Sequence, residues 1–329
     1  CFGEALDDSC GVCSGGGSGH AADSDVDNFG LCFNQNSLQG AIDAASAGGS
    51  LTVPGGTYNE TITLDKSLTL TGSGSITGGI VIAADDVTID GLSLSGRPSQ
   101  KNTVIWVDGS AVRSDISISD CVIDGESDGK YAFYGSNSIS GDISFDGNTI
   151  QNITNWFVMD NTGSTHDVNN ALDNVVFTNN TLINVHGSIA FRGNVNNPID
   201  NATLNNNTAN YGDLYSFWAF VEVNNVEHIE AAYNEVHGIS AANNTGGWGE
   251  SHVFQFWSKA GAWSVDIHDN DLSGNEQGIA IATGGDFVVP GGSIYNNDLS
   301  DIATFAITAE SWGPGDGDCG DNPGATVNA

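Results

Sequence analysis

A 27-residue repeat constrains the fold of this chain more than any other feature. Eight segments align without gaps, starting at positions 87, 116, 143, 175, 202, 229, 265 and 292. The starts are separated by 29, 27, 32, 27, 27, 36 and 27 residues, so 27 is the base period and the longer intervals contain insertions. Each segment alternates apolar and polar side chains, as a half-buried strand requires. A strand recurring at this period predicts a solenoid whose coils stack on one another.

The sixth position of the repeat is the most regular. It is Leu92 and then Cys121 in the first two segments. The other six segments have asparagine there: Asn148, Asn180, Asn207, Asn234, Asn270 and Asn297. Amides in the same register of successive coils can bond the local backbone and each other, so an asparagine ladder is predicted. Cys121 shares this column and is predicted to be a buried thiol rather than a disulfide partner.

A second apolar strand follows the first in each coil, from VIWV (104–107) to TFAI (304–307). Several strands per coil predict an all-β protein, a right-handed parallel β-helix of about ten coils. Ser37 is predicted to cap a short helix over 38–47 that covers the front end of the solenoid. We therefore divide the chain into three parts: a Cys- and Asp-rich segment (1–36), the β-helix with its cap (37–311) and a Gly- and Asp-rich tail (312–329).

The stretch AIDAASAGGSLTVPGGTYNETITLDKSLTLTG (41–72) resembles the start of pectate-lyase-like β-helix proteins. The coils resemble that superfamily to about residue 309, so the likeness covers most of the chain. It implies the fold and an extracellular, glycan-rich setting. It implies no single reaction, because this fold hosts lyases, hydrolases, esterases, adhesins and structural rods.

The charge of the chain limits its partners. Asp and Glu total 41 against 7 Lys and Arg, which gives a formal net charge of −34. Such a surface repels nucleic acids and anionic membranes and attracts cations such as Ca²⁺. The sequence contains no apolar run approaching the roughly 18–20 residues of a membrane span. The partners predicted are extracellular glycans and further copies of the chain itself.

The cysteines favour a secreted protein. The chain begins at Cys1 rather than Met, so we expect a processed product that is extracellular or at the cell surface, with lipid attachment at Cys1 as the alternative. Five cysteines lie near the ends of the chain and are predicted to form disulfides: Cys1, Cys10, Cys13, Cys32 and Cys319. Cys10 and Cys13 could instead be half of a zinc site, although a second pair at ligand spacing is missing.

Asp23, Asp25 and Asp27 alternate like the start of an EF-hand-type loop. Oxygen ligands at this spacing suit Ca²⁺, so these residues form the candidate metal site. Asn28 and Asn34 stand where such a loop has Gly and Glu, and a solvated acidic loop is the alternative.

Six N-x-[ST] sequons occur along the chain. Asn179 and Asn206 lie one residue before the ladder, on the expected outer side of the turn. They are therefore the preferred glycosylation candidates.

The second strands hold aromatic residues beside polar ones. If Ile189 and Phe191 face inward, alternation places Arg192 outward, together with Gln255. Aromatic faces beside hydrogen-bonding groups suit sugar rings. The predicted carbohydrate-binding residues are Trp156, Asp160, Trp218 and Trp257. The alternative is that these aromatic side chains fill the core and cap loops.

Catalysis is the second possibility for this region. A polysaccharide lyase needs a base and a cation that neutralises the uronate, for which Lys259 or His252 and Arg192 are the candidates. The scarcity of basic residues and the repulsion between this surface and a polyanion argue against it. A hydrolase would need paired carboxylates. A nucleophile elbow, a phosphate loop and an HExxH motif are all missing from the sequence.

The favoured hypothesis is a secreted structural or adhesive β-helix that could self-assemble through its termini. It rests on the regular ladder, the missing catalytic signature and the cysteines at both ends. The alternative is a carbohydrate-active enzyme, resembling a polysaccharide lyase, that acts on an extracellular polysaccharide.

Overall fold

A computed structural model describes residues 6–7, 13–14, 37–98, 101–135, 139–154, 157–160, 172–193, 196–211, 219–240, 251–258, 263–284 and 291–312. Among these residues the only helix is α1 (Leu38–Ala44). It is seven residues long, which is too short to cross a membrane. The described strands, in chain order, are β1 (Leu6–Asp7), β2 (Cys13–Ser14), β3 (Gly49–Val53), β4 (Thr57–Tyr58), β5 (Ile62–Leu64), β6 (Leu68–Gly72), β7 (Ser75–Ile76), β8 (Ile80–Ile82), β9 (Val87–Asp90), β10 (Ser93–Leu94), β11 (Thr103–Val107), β12 (Arg113–Ser119), β13 (Val122–Asp124), β14 (Tyr131–Tyr134), β15 (Ile139–Asp146), β16 (Thr149–Ile153), β17 (Phe157–Asp160), β18 (Leu172–Thr178), β19 (Thr181–Val185), β20 (Ser188–Arg192), β21 (Ile199–Asn205), β22 (Thr208–Asn210), β23 (Ala219–Asn224), β24 (Val226–Ala232), β25 (Glu235–His237), β26 (His252–Ser258), β27 (Ser264–His268), β28 (Gln277–Gly284), β29 (Gly291–Tyr295) and β30 (Phe305–Trp312).

Three long parallel sheets account for nearly all of these strands. Sheet 1 runs β3-β6-β9-β12-β15-β18-β21-β24-β27-β29 and sheet 2 runs β4-β7-β10-β13-β16-β19-β22-β25. Sheet 3 runs β5-β8-β11-β14-β17-β20-β23-β26-β28-β30, while β1 and β2 form a separate antiparallel pair. The first eight coils contribute one strand to each sheet, the last two contribute only isolated bridges at the sheet 2 position, and parallel crossovers of this kind are right-handed. The predicted right-handed parallel β-helix of about ten coils is confirmed.

The interior is filled by one apolar residue at every second position of each strand. Phe145 of sheet 1 lies with its ring centroid 6.3 Å from those of Phe177 and Phe191. These three rings, together with the Ile, Val and Leu of neighbouring coils, are almost fully buried. The core therefore extends along the solenoid axis, and each coil packs mainly against the coils before and after it.

The predicted asparagine ladder is present from Asn148 to Asn297. The Asn180 side chain donates through Nδ2 to the Phe145 carbonyl at 2.9 Å and to Asn207 Oδ1 at 3.1 Å. The same Asn207 oxygen accepts from the Asn180 backbone N–H at 3.0 Å. Equivalent bonds link each neighbouring pair from Asn148 to Asn297. Each amide thus satisfies backbone groups at a turn where the solenoid bends from sheet 1 to sheet 2.

The residue before each ladder position adopts the left-handed backbone conformation. Its φ lies between 49° and 75° in all eight coils: Gly91, Asp120, Gly147, Asn179, Asn206, Tyr233, Asp269 and Asn296. Gly, Asn and Asp tolerate this conformation best, and seven of the eight residues are of these types. Asn179 and Asn206 are exposed at this turn, as glycosylation there would require, and their modification stays a prediction.

Cys121 and α1 agree with their predicted roles. Cys121 is free and buried, and burial raises the pKa of its thiol to about 11. The Ser37 hydroxyl accepts a hydrogen bond from the Gly40 N–H at 2.9 Å, as expected of an N-cap, and Glu60 accepts one from the Leu38 N–H at 2.8 Å. The helix ends at Ala44, three residues earlier than predicted, because Ala45 is already extended.

The position of an asparagine in the ladder is expected to set its contribution to stability. Asn207→Leu removes four buried hydrogen bonds from the middle of the ladder and should lower the free energy of unfolding by about 3–5 kcal/mol. Asn297→Leu acts at the partly exposed end of the ladder and should cost less than half as much. The midpoint of urea unfolding measures both values. Equal losses at the two positions would contradict a cooperative ladder.

Candidate functional site

The outward face of sheet 3 carries a group of polar side chains on three adjacent strands, β20, β23 and β26. Strand pairing places Glu222 beside Gln255, and places Asn224 between Arg192 and Trp257. We refer to these five residues as the outer polar cluster. They alternate with core residues such as Phe191 and Phe256, so they lie on the face opposite to the core.

An ion pair lies at the centre of the outer polar cluster. Arg192 Nε and Nη2 lie 3.3 Å from Glu222 Oε1 and 3.2 Å from Oε2, and the side chains are 7% and 5% exposed. Asn224 Nδ2 donates to Glu222 Oε1 at 2.5 Å. This bond fixes the orientation of the amide, since a flipped group would place oxygen against oxygen. Asn224 Oδ1 is buried and accepts no hydrogen bond from the residues that the structure describes.

The outer polar cluster differs from the earlier coils of the same sheet. One column of sheet 3 begins with outward residues that are only partly buried: Thr63, Val81, Trp106 and Tyr134. In the same column Ala190, Glu222, Gln255 and Ala280 are at most 4% exposed. Burying a charged pair costs several kcal/mol per ion before its attraction is counted. Core formation does not require that cost on the outer face, which makes this region the candidate functional site.

His252 lies at the start of β26 and is 3% exposed. Burial lowers the pKa of its imidazole to about 4, so the ring is neutral at pH 7. Its position in the strand alternation matches that of the core residues Phe254 and Phe256, whereas Gln255 and Trp257 face outward. The strand order therefore does not bring His252 and Arg192 to the same face.

Several predicted site residues lie outside the described residues. They are Trp156, Trp218 and Lys259 of the glycan and catalytic sets, Asp23, Asp25 and Asp27 of the calcium set, and the cysteines Cys1, Cys10, Cys32 and Cys319. Cys13 belongs to β2, and Asp160 belongs to β17 between Tyr134 and Ala190, but their side chains are not described. Within the described ranges, no group of three or more His, Cys, Asp or Glu side chains could hold a metal ion.

Comparison with known proteins adds little to these observations. No protein-family model and no curated protein matches the chain. Among solved structures, the chain is similar to the A-module of the mannuronan C-5 epimerase AlgE6 of Azotobacter vinelandii. The two share 13% identity over 94% of this chain and 97% of the other, with a TM-score of 0.28. The likeness is too distant to inform the function, and the fold rests on the three parallel sheets themselves.

The buried His252 is expected to make stability depend on pH. Its pKa is about 4 in the folded protein and about 6.5 when unfolded, so below pH 6.5 the unfolded chain binds the proton first. The contribution of His252 to the free energy of unfolding is fully present above pH 6.5. About 3 kcal/mol of it is lost as the pH falls from 6.5 to 4. Urea unfolding of the wild type and His252→Asn across this range isolates this contribution. Parallel pH profiles for the two proteins would contradict the assignment.

The Arg192–Glu222 pair is expected to behave as a buried unit. Arg192→Met leaves the Glu222 carboxylate buried without its counter-ion and should cost about 3–5 kcal/mol of unfolding free energy. The double variant Arg192→Met/Glu222→Leu removes both charges and should be more stable than either single variant. A double-mutant cycle of urea unfolding measures this coupling. Additive effects would show that the two side chains act independently.

Proposed function

We propose that this protein is an extracellular polysaccharide-binding β-helix and that the outer polar cluster is its glycan site. The observation that carries the proposal is the buried acceptor Asn224 Oδ1, which lies next to the Arg192–Glu222 pair on the outer face of a solenoid. An acceptor left open in a buried site is costly unless a ligand supplies the donor. Sugar hydroxyls are donors of the required kind.

The remaining members of the outer polar cluster suit the rest of a sugar ring. Trp257 neighbours Asn224 on the next strand, roughly 4.8 Å away, and its side chain is 2% exposed, so its indole would meet the C–H side of a pyranose only once the outer face opens. Gln255 adds an amide on the same face of that strand. Because Glu222 neutralises Arg192, the cluster has no free cation for a uronate. A neutral or weakly charged glycan is therefore favoured over a polyuronate.

Binding is better supported than catalysis. The cluster contains one carboxylate, Glu222, and this group is engaged by Arg192 and Asn224. A hydrolase needs two carboxylates that are free to act, and a lyase needs a base on the same face as its cation. An adhesive role follows directly from glycan binding. Since the cluster is buried, the face must open to admit the ligand, and association should be slower than for an exposed site.

Trp257→Leu should weaken polysaccharide binding at least tenfold, because it removes the stacking surface beside Asn224. Affinity electrophoresis through gels containing neutral glucans, galactans or alginate measures this loss as a loss of retardation. Trp106→Leu is the matched control, since Trp106 lies on the outward face of the same sheet five strands away. Equal retardation of all three proteins would contradict the proposed site.

The same polysaccharides provide the test for catalysis. Incubation with the wild type should leave polymer length unchanged and produce no unsaturated sugar by ultraviolet absorbance. Release of such a product, abolished by His252→Asn, would replace the binding proposal with the lyase hypothesis.

A further inference from the structure

Tyr233 breaks the pattern of its column. It occupies the left-handed position before ladder residue Asn234, with φ of 57°, where the other seven coils have Gly, Asn or Asp. An aromatic residue is disfavoured in this conformation. The side chain does not recover the cost by burial, because Tyr233 is 59% exposed. Strain retained at an exposed side chain indicates a role beyond folding.

Tyr233 belongs to a group of three rings on the outer side of sheet 1. Its ring meets that of His268 edge-on, with centroids 5.7 Å apart and an interplanar angle of 88°. His268 in turn stacks on Tyr295, with centroids 4.9 Å apart and an angle of 11°. We refer to Tyr233, His268 and Tyr295 as the aromatic shelf. His268 and Tyr295 are paired directly across the adjacent strands β27 and β29, so the spacing between strands sets the distance at which their rings stack.

One end of the aromatic shelf has no further strand beyond it in the part of the chain that the structure describes. Tyr295 is 47% exposed and lies on β29, the terminal strand of sheet 1 among the described residues. Among the described residues no further strand pairs with β29, so none covers the face of the Tyr295 ring opposite His268. Earlier coils place short polar side chains in this column, for example Ser119 and Thr178. The aromatic shelf is therefore a local departure from a hydrophilic face.

Carboxylates surround the aromatic shelf. Asp269 Oδ2 lies 2.9 Å from His268 Nδ1, and Glu230 Oε1 lies 3.9 Å from His268 Nε2. Asp266 lies two residues before His268 on β27 and therefore on the same face of the sheet. The sequence contains no Lys or Arg after Lys259. This surface repels uronates and other anions, while its rings and acceptors suit a neutral sugar, whose C–H face stacks and whose hydroxyls donate.

We propose that the aromatic shelf is a second carbohydrate-binding site, one that takes neutral pyranose units of a polysaccharide. It lies on sheet 1, whereas the outer polar cluster lies on sheet 3, so the two sites can fail independently. Stacking on Tyr295 and packing against Tyr233 supply the contact. Asp269 and Glu230 supply acceptors at the rim.

Tyr233→Asn gives the sharpest test, because it substitutes the residue that other coils use at this position. The variant should have a melting temperature equal to or above that of the wild type, since Asn relieves the left-handed strain. In a Trp257→Leu background, which removes binding at the outer polar cluster, it should bind neutral hexasaccharides such as cellohexaose and laminarihexaose at least fivefold more weakly in isothermal titration calorimetry. Oligomannuronate should bind neither protein at this site.

Two further variants separate the alternatives. Ile183→Asn replaces a side chain of similar exposure, 48%, on sheet 2 and should leave binding unchanged. Trp257→Leu should abolish only the hexasaccharide binding at the outer polar cluster. The binding that remains in this variant should be lost in the double variant Trp257→Leu/Tyr233→Asn. A lower melting temperature with unchanged binding in Tyr233→Asn would overturn the proposal. So would a concentration-dependent dimer that Tyr233→Asn dissociates, because the aromatic shelf would then be an interface between two copies.

Discussion

Hydrogen bonding between successive coils is the interaction on which the rest of the structure depends. Parallel strands meet their counterparts in the next coil roughly 4.8 Å away, and the described strands inside each sheet pair with a neighbour on both sides. At the turns from sheet 1 to sheet 2 these backbone bonds continue on both sides of the ladder residue, whose own N–H is instead accepted by the Asn side chain of the next coil. A side-chain amide has both a donor and an acceptor, so one residue type can serve every coil.

This regularity converts sequence position into spatial columns. Residues one coil apart lie side by side, so a departure from the column pattern marks a place with a different purpose. Asn224 and Trp257 depart from the partly exposed outward residues of the earlier coils because they are almost fully buried, and Tyr233 departs from a column of Gly, Asn and Asp. Both departures occur in the C-terminal half of the solenoid. The N-terminal half has the more uniform Ser and Thr columns of sheet 1 and is the simpler scaffold.

Most of the fold could be predicted from the sequence. The repeat length gives the number of residues per coil, and the recurring Asn shows which residues of successive coils lie side by side. The same alternation placed Arg192, Gln255 and Trp257 outward. The predicted end of α1 was three residues too late, because the apolar pattern continues through Ala47 while the backbone is already extended at Ala45. The pairing of Arg192 with Glu222 could not be derived, because it depends on the length of the insertion between their coils. Asn224 gave only a weak signal, its i+2 spacing from Glu222.

The aromatic shelf was missed for a different reason. Tyr233 looks like an ordinary apolar residue next to a strand, and its meaning depends on a backbone angle that periodicity does not report. His268 and Tyr295 are 27 residues apart, and their stacking appears only when the coils are laid side by side.

The constant separation of ladder partners also bears on how the chain reaches this structure. Most long-range contacts join residues about one coil apart, which is roughly a tenth of the chain length, a low value for an all-β protein. A coil can therefore add to a finished neighbour without waiting for distant segments to meet. Assembly of the solenoid is expected to resemble the growth of a one-dimensional crystal from a short nucleus, with its ends as the slowest parts to become ordered.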